Sequence, residues 1–534
     1  LFQFVIAMGL SGRKYDTVVI GLATVIITAI ALYHDIFRHY LSSADADFIY
    51  VYQALLFNDG LSQAYFDHTG YVYFLILTGW IKALYWLGIV GAERLGELTG
   101  RDAFEPLFAE LVYAGRWLSI VLVTAFAVCF YYGVRFLTGN RHVAAAAAIV
   151  LAFSPGMVAH SLVMRTGLPA MLFVVMAFFM LIAAIRARGW REIWLLVAVG
   201  FFCMIAMMAK MQVIFLLLAL PGLALAFGER GQPVVGPNED SHLRWLAAAF
   251  VAAAIAFAIP AAAMIVGRIA VKGTGLYQAL IAIYVVGNIF VYGHLFRRTV
   301  RDSVLCAAAM VAGIALGQYF NFVYHDIGNT DVLANFVEHM APVAGMRDLV
   351  STVLYQESIV RFLGYLGSSI QGNYLTFELN RLPAHLVYWY VAVGGAVALQ
   401  QKSYRLAIQC GLLLGVALGM EAFCRLRYYP TIYYIFVVPW ILIAAALLTD
   451  ALLRHVRSRN GLGVRATRNL VAVPLAAAAI LISGLWLNQA LAKRSWNSPA
   501  SFACKRDASG ELRPAKHEYT PLLQGYLDKY CVKK

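Results

Sequence analysis

The residues best placed for chemistry follow the first long apolar run. His34, Asp35, Asp45, Asp47, Asp59, Asp67 and His68 form the richest polar cluster in the chain. Ser43-Ala44-Asp45-Ala46-Asp47-Phe48 leads into Ile49-Tyr50-Val51-Tyr52-Gln53-Ala54-Leu55-Leu56, a helical pattern with an acidic start. An Asp before a helix accepts orphan backbone N–H bonds and suits the helix dipole, so Asp45 reads as a cap or as part of a site. Asp47 sits further in, where a carboxylate beside a membrane is partly desolvated and can take a proton from a hydroxyl. The Asp-Ala-Asp spacing is too short to establish a metal site, and no metal is assigned. Much later, Arg425-Leu426-Arg427-Tyr428-Tyr429-Pro430 places two guanidiniums beside two tyrosines. Arg forks match phosphate oxygens and aromatic rings suit a sugar face; the competing reading is an aromatic-belt anchor with flanking cations.

The elements that must hold these residues are membrane helices. Of 534 residues, 62% are apolar and only 13% charged, with a mean hydropathy of +0.72. A soluble domain has about half apolar and a quarter charged residues, which excludes a cytosolic enzyme, a disordered chain and a nucleic-acid-binding module. The net charge of +14 comes from short basic clusters between apolar runs, which read as topology signals. A crossing needs about 20 apolar residues. Such runs occur at 15–33, 111–133, 143–162, 168–186, 192–209, 211–228, 245–267, 276–296, 303–323, 385–400, 406–423, 430–449 and 470–488. The run 71–90 is interrupted by Gly79 and Lys82. Only if it does not cross do Arg13-Lys14, Arg135 with Arg141, Arg186-Arg188-Arg191, Arg297-Arg298-Arg301, Lys402-Arg405 and Arg454 through Arg468 fall on one side. It is therefore read as juxtamembrane or re-entrant. The expectation is an all-α polytopic protein of about 13 transmembrane helices with its N-terminus inside. Residues 1–488 form the membrane domain, and the long loops 34–110 and 324–384 and a short tail, 489–534, face outward. The second loop holds an amphipathic stretch from Arg347 to Leu366, read as a surface helix.

The order of these features resembles the GT-C superfamily of integral membrane glycosyltransferases, which includes protein O-mannosyltransferases and lipid A aminoarabinose transferases. An acidic residue after the first helix is followed by a Tyr/Ala/Leu-rich helix at 49–57. Next come the loop Phe66-Asp67-His68-Thr69-Gly70-Tyr71 and an interfacial helix, and Ala114-Gly115-Arg116-Trp117-Leu118-Ser119 opens the next crossing. The resemblance implies a GT-C-like bundle, an essential carboxylate at Asp47 with Asp45 as neighbour, and Arg116 on a donor phosphate. It also implies a phosphate contact from Arg165 in Met164-Arg165-Thr166-Gly167, where several relatives carry an acid and this chain has Gly167. Lys210, in Ala209-Lys210-Met211-Gln212, matches a lysine-containing turn. Arg116 and Lys210 also fit snorkelling or interfacial anchoring. His68, Tyr71, Tyr428 and Tyr429 are assigned to the sugar or acceptor, and Arg425 and Arg427 to the donor phosphate.

The implied reaction moves a sugar from a polyprenyl-phosphate donor to an acceptor hydroxyl on a glycan, glycolipid or protein, at the outer face of a bacterial-type cytoplasmic membrane. It needs the lipid-linked donor and no obligatory cofactor, metal or nucleic acid. An O-antigen ligase or polymerase would instead place essential Arg and His residues in 324–384. A transporter would carry ionisable groups in mid-span, whereas here the charges gather at helix ends. In the tail, Cys504 and Cys531 are expected to pair, a link worth about 3 kcal/mol in the chain-entropy picture.

Overall fold

The computed structural model describes residues 12–40, 47–61, 70–98, 104–227, 300–323, 354–376, 378, 381–427, 431–459, 473–492, 504–506 and 512–514. Their helices are α1 (Gly12–Tyr33), α2 (Asp47–Asn58), α3 (Tyr71–Trp86), α4 (Leu95–Leu98), α5 (Phe104–Thr138), α6 (Arg141–Ala152), α7 (Pro155–Leu162), α8 (Gly167–Arg186) and α9 (Trp190–Ala209). After these come α10 (Ile214–Phe227), α11 (Val300–Val323), α12 (Leu354–Ile370), α13 (Leu382–Gln400), α14 (Tyr404–Arg427), α15 (Val438–Arg459) and α16 (Val473–Ala492). The tail adds a small antiparallel ribbon, β1 (Cys504–Arg506) with β2 (Leu512–Pro514), and among the described residues the other regular elements are helices.

Seven of these helices are long and apolar enough to cross a membrane, or eight if α6 and α7 count as one bent span. The chain is an integral membrane protein. The expected spans 245–267 and 276–296 lie outside the described residues, as does 324–353 of the second outward loop. Three other expected spans, at 211–228, 303–323 and 470–488, fall on α10, α11 and α16.

The run 143–162 is not one straight helix. It breaks between α6 and α7 with a bend of 56°. Pro155 has no N–H to continue α6, and its fixed φ suits the first turn of a new helix, with Ser154 extended before it. The expected span 430–449 likewise starts late. A 3₁₀ turn, Thr431–Phe436, precedes α15. α6 itself begins at a side-chain cap, since Asn140 Oδ1 accepts from the backbone N–H groups of His142 and Val143.

At one end of the bundle Asp16, near the start of α1, accepts from Tyr131 Oη at 2.6 Å and pairs with Arg135, near the end of α5. The Arg141 guanidinium lies 5.0 Å from the Tyr15 ring centre. The start of α1 and the end of α5 therefore share a side, and the chain between them makes an even number of crossings, which α1 and α5 supply by themselves. α3 packs on α2 and α5, with Thr78 donating to Ala54 O and Trp80 Nε1 donating to Ala114 O.

The bent α7 and the 431–436 turn dock backbone to backbone at Gly156, where a side chain would collide with the backbone of Ile435, 2.8 Å from its Cα. Gly156→Val should therefore destabilise the folded protein by about 1–3 kcal/mol. In α1, Gly21 faces open space, so Gly21→Val serves as the control. Thermal unfolding in detergent checks this: equal midpoints for the two variants would exclude tight docking at Gly156.

Candidate functional site

The outward-reading ends of α2, α5, α7 and α8 meet around the Asp47 carboxylate, which has no exposed surface. Its Oδ2 accepts from Arg116 Nε at 2.9 Å, and its Oδ1 accepts from the backbone N–H of Met164 at 2.9 Å. Arg38 Nη2 lies 3.8 Å from Oδ2. Arg116 is also fully buried, and its Nη1 donates to the carbonyls of Ile36 and Arg38 at 3.0 and 2.7 Å. Arg38 in turn donates to the Leu162 carbonyl. Burial, and next the neighbouring Arg116 charge, lower the Arg38 guanidinium to about 10, while Asp47 acts the other way. It is still cationic at neutral pH. Two guanidiniums thus share one carboxylate in a water-excluded site.

The link between α7 and α8, Val163 to Thr166, carries the second part of the site. Met164 N–H holds Asp47, and the half-buried Arg165 follows it. Thr166 Oγ1 is 3.5 Å from Nζ of Lys210, a residue only 3% exposed. Lys210 caps the C-terminal end of α9 and lies 5.5 Å from the Tyr433 ring centre. Tyr71 opens α3, buried edge-on against Phe57. Asp47, Arg116, Arg165, Lys210 and Tyr71 are thus brought to one end of the bundle.

A second polar cluster joins α12, α13 and α14. Arg425 Nη2 donates to Glu421 Oε1 at 2.8 Å, and Asn373 Nδ2 donates to Glu421 Oε2 at 2.7 Å. His385 Nδ1 lies 2.9 Å from the Asn373 carbonyl oxygen. Asn373 sits in a π-helical turn, Gln371–Leu375, an irregularity often found at functional sites. Arg427 ends α14, but its side chain, like Asp45, His68, Tyr428 and Tyr429, lies outside the described residues. The Cys504–Cys531 pairing also falls outside them. Asp59, part of the acidic cluster, accepts from Gly96 N–H and ties the following loop to α2. Among the described residues, no three His, Cys, Asp or Glu side chains gather as a metal site.

Sequence reading passed over Arg38, His160, Glu421 and Asn373. Glu421 had a local signal, a lone carboxylate in the apolar run Leu418-Gly419-Met420-Glu421-Ala422-Phe423.

No protein-family model and no curated protein matches the sequence. Among solved structures, the chain is similar to the archaeal oligosaccharyltransferase AglB from Archaeoglobus fulgidus, solved with an inhibitory peptide and a dolichol-phosphate. The TM-score is 0.50 at 14% identity, over 97% of this chain and 60% of that one. AglB is a GT-C superfamily glycosyltransferase. The chain has a GT-C-type fold. At this identity the likeness is one of fold, and the chain spans about 60% of the length of AglB.

Within this GT-C-type fold, removing one partner of the Asp47–Arg116 pair leaves a buried charge uncompensated. Arg116→Met should cost about 3–5 kcal/mol. Asp47→Asn should cost at least as much, because Arg116 and Arg38 then both lack a carboxylate and the amide NH2 faces one of the two N–H donors, Arg116 Nε or Met164 N. Chemical denaturation of both purified variants checks the order, and an Arg116→Met as stable as the wild type would remove the pair from its holding role.

Proposed function

We propose that this chain is a membrane glycosyltransferase. It moves a sugar from a polyprenyl-phosphate donor to an acceptor hydroxyl at the extracytoplasmic face, inverting the anomeric carbon. The observation that carries the reading is the Asp47 carboxylate, buried at one end of a GT-C-type bundle with an excess of cationic groups around it. AglB was solved with a dolichol-phosphate and a peptide. That supports a lipid-phosphate donor class here and keeps a protein among the acceptors, beside a glycan or glycolipid.

Asp47 Oδ1 takes one hydrogen bond, from Met164 N–H, and has a second lone pair. In the proposed step an acceptor O–H donates to that lone pair. Its oxygen attacks the anomeric carbon from the side opposite the phosphate, the C–O bond to phosphate breaks, and the proton passes to Asp47. Arg116 and Arg38 keep the carboxylate in place, so Arg116 acts on the base rather than on the phosphate. Arg165, Arg425 and Arg427 stabilise the charge that develops on the leaving phosphate. With a monophosphate leaving group these cations suffice, and no obligatory metal enters the proposal. The basic clusters at the opposite end support an outward-facing site, which this proposal assigns to the periplasmic side of a bacterial cytoplasmic membrane.

Asp47→Asn should retain polyprenyl-phosphate binding and lose about 10²–10⁴-fold in turnover. Arg427→Ala should mainly raise the donor KM. Radiolabelled sugar transfer by reconstituted protein measures both, and wild-type-like turnover by Asp47→Asn would remove it from the base role.

A further inference from the structure

His160 plays no part in the mechanism above. It lies in α7 with no exposed surface, and its Nδ1 is 2.8 Å from the carbonyl oxygen of Gly156, one turn back. A carbonyl only accepts, so Nδ1 carries the hydrogen and Nε2 of the neutral ring presents a lone pair. Nε2 has no hydrogen-bond partner among the described residues. Buried acceptors are nearly always met by a donor, so this one calls for an explanation.

Its surroundings narrow what that donor is. A Cβ on Gly167 would lie 3.3 Å from Nε2 and 3.2 Å from the Phe436 ring. Glycine at this position therefore keeps the ground beside the lone pair free of a side chain. Thr166 precedes it, with Lys210 Nζ at 3.5 Å from its hydroxyl, and the Lys210 charge reaches the imidazole. The acceptor lone pair of His160 beside Gly167 and the ammonium of Lys210 beside Thr166 thus flank one dipeptide at the start of α8. A phosphate oxygen would accept from Lys210 but face the Nε2 lone pair with like polarity. A cation would do the reverse. A hydroxyl satisfies both, donating to Nε2 while accepting from Nζ.

We propose that His160 and Lys210 form a hydroxyl-recognition site that takes a sugar hydroxyl, which moves Lys210 from phosphate binding to sugar binding. The inference rests on the glycosyltransferase reading. The sugar is either that of the donor lipid or that of a glycan acceptor, and the two sources are separable.

The test uses the full chain in lipid nanodiscs with ¹⁵N-histidine, the His160 signals being identified by their loss in His160→Phe. The probes are undecaprenyl phosphate alone, undecaprenyl-phosphate mannose, undecaprenyl-phosphate arabinofuranose, and the methyl glycosides of both sugars; transfer of radiolabelled sugar from the same lipids is assayed in parallel. The expected result is a shift of the Nε2 resonance with a sugar-bearing probe and none with undecaprenyl phosphate. A shift with a donor lipid assigns the site to the donor sugar, and one with a methyl glycoside alone assigns it to the acceptor. His160→Phe should raise KM for that sugar about tenfold, the value of one hydrogen bond. His160→Gln should recover part of the loss, and Gly167→Ala, which sets a methyl beside Nε2, should also raise this KM without lowering the unfolding midpoint.

A shift with bare undecaprenyl phosphate would overturn the proposal in favour of an anion site. So would an Nε2 unmoved by every sugar-bearing probe, the methyl glycosides included, while sugar is transferred, or a KM unchanged in His160→Phe. Failure of the wild-type chain to bind or turn over any lipid in the panel would instead sink the glycosyltransferase reading, and this site with it.

Discussion

The arrangement of one end of the bundle depends on one buried ion pair. Taking Asp47 and Arg116 out of water costs several kcal/mol per ion, and the pair repays this only when the remaining hydrogen-bonding capacity is also met. Here the neighbours meet most of it. Met164 N–H takes one carboxylate oxygen, and the carbonyls of Ile36 and Arg38 take the guanidinium. With Asp47 and Arg116, these groups come from four stretches of chain. The exit of α1, the start of α2, the middle of α5 and the α7–α8 link are thus fixed relative to one another by one electrostatic requirement. Apolar packing alone would not set their register, because lipid tails are as apolar as the helices they surround.

The charge count within that unit bears on function. Arg38 and Arg116 contribute two positive charges against one carboxylate, and burial already strains Arg38 toward its neutral form. An anion near the triad relieves that excess, whereas a cation worsens it. A lipid-borne phosphate is therefore electrostatically suited to this end of the bundle in a way that a neutral solute is not. Glu421 shows the complementary arrangement. It holds Arg425 and Asn373 together, so the guanidinium is oriented by a carboxylate that is itself only 1% exposed.

Local pattern made the apolar spans and the acidic start of α2 legible, because a run of about 20 apolar residues and an Asp at a helix entrance are signals in a single window. The partner of Asp47 was not legible. Arg116 lies 69 residues away, and a guanidinium at a helix end reads equally well as an interfacial anchor until the fold brings it to a carboxylate. The break in 143–162 was legible in principle, since Ser154-Pro155 is a stop-and-restart signal that the length of the apolar run obscured. His160 was hidden for a different reason. A histidine in an apolar segment becomes informative only when the partner of each ring nitrogen is known, and those partners are tertiary.

The placement of charge also bears on the proposed reading of an enzyme over a transporter. Alternating access needs ionisable groups where half-helices meet near the middle of the membrane. In this chain several buried charges lie near helix termini: Asp47 opens α2, Lys210 follows α9, and Glu421 and Arg425 occupy the closing turns of α14, while Arg116, inside the long α5, is tied to the start of α2 through Asp47. Asp16 and Arg135 mark the other end. Such a distribution keeps the Asp47 cluster at one end of the bundle, away from the Asp16–Arg135 pair. A substrate with a lipid tail and a polar head suits that geometry. Its tail can stay among lipid-facing helices while the phosphate and sugar reach the polar end, so the reacting bond never has to enter the hydrocarbon core.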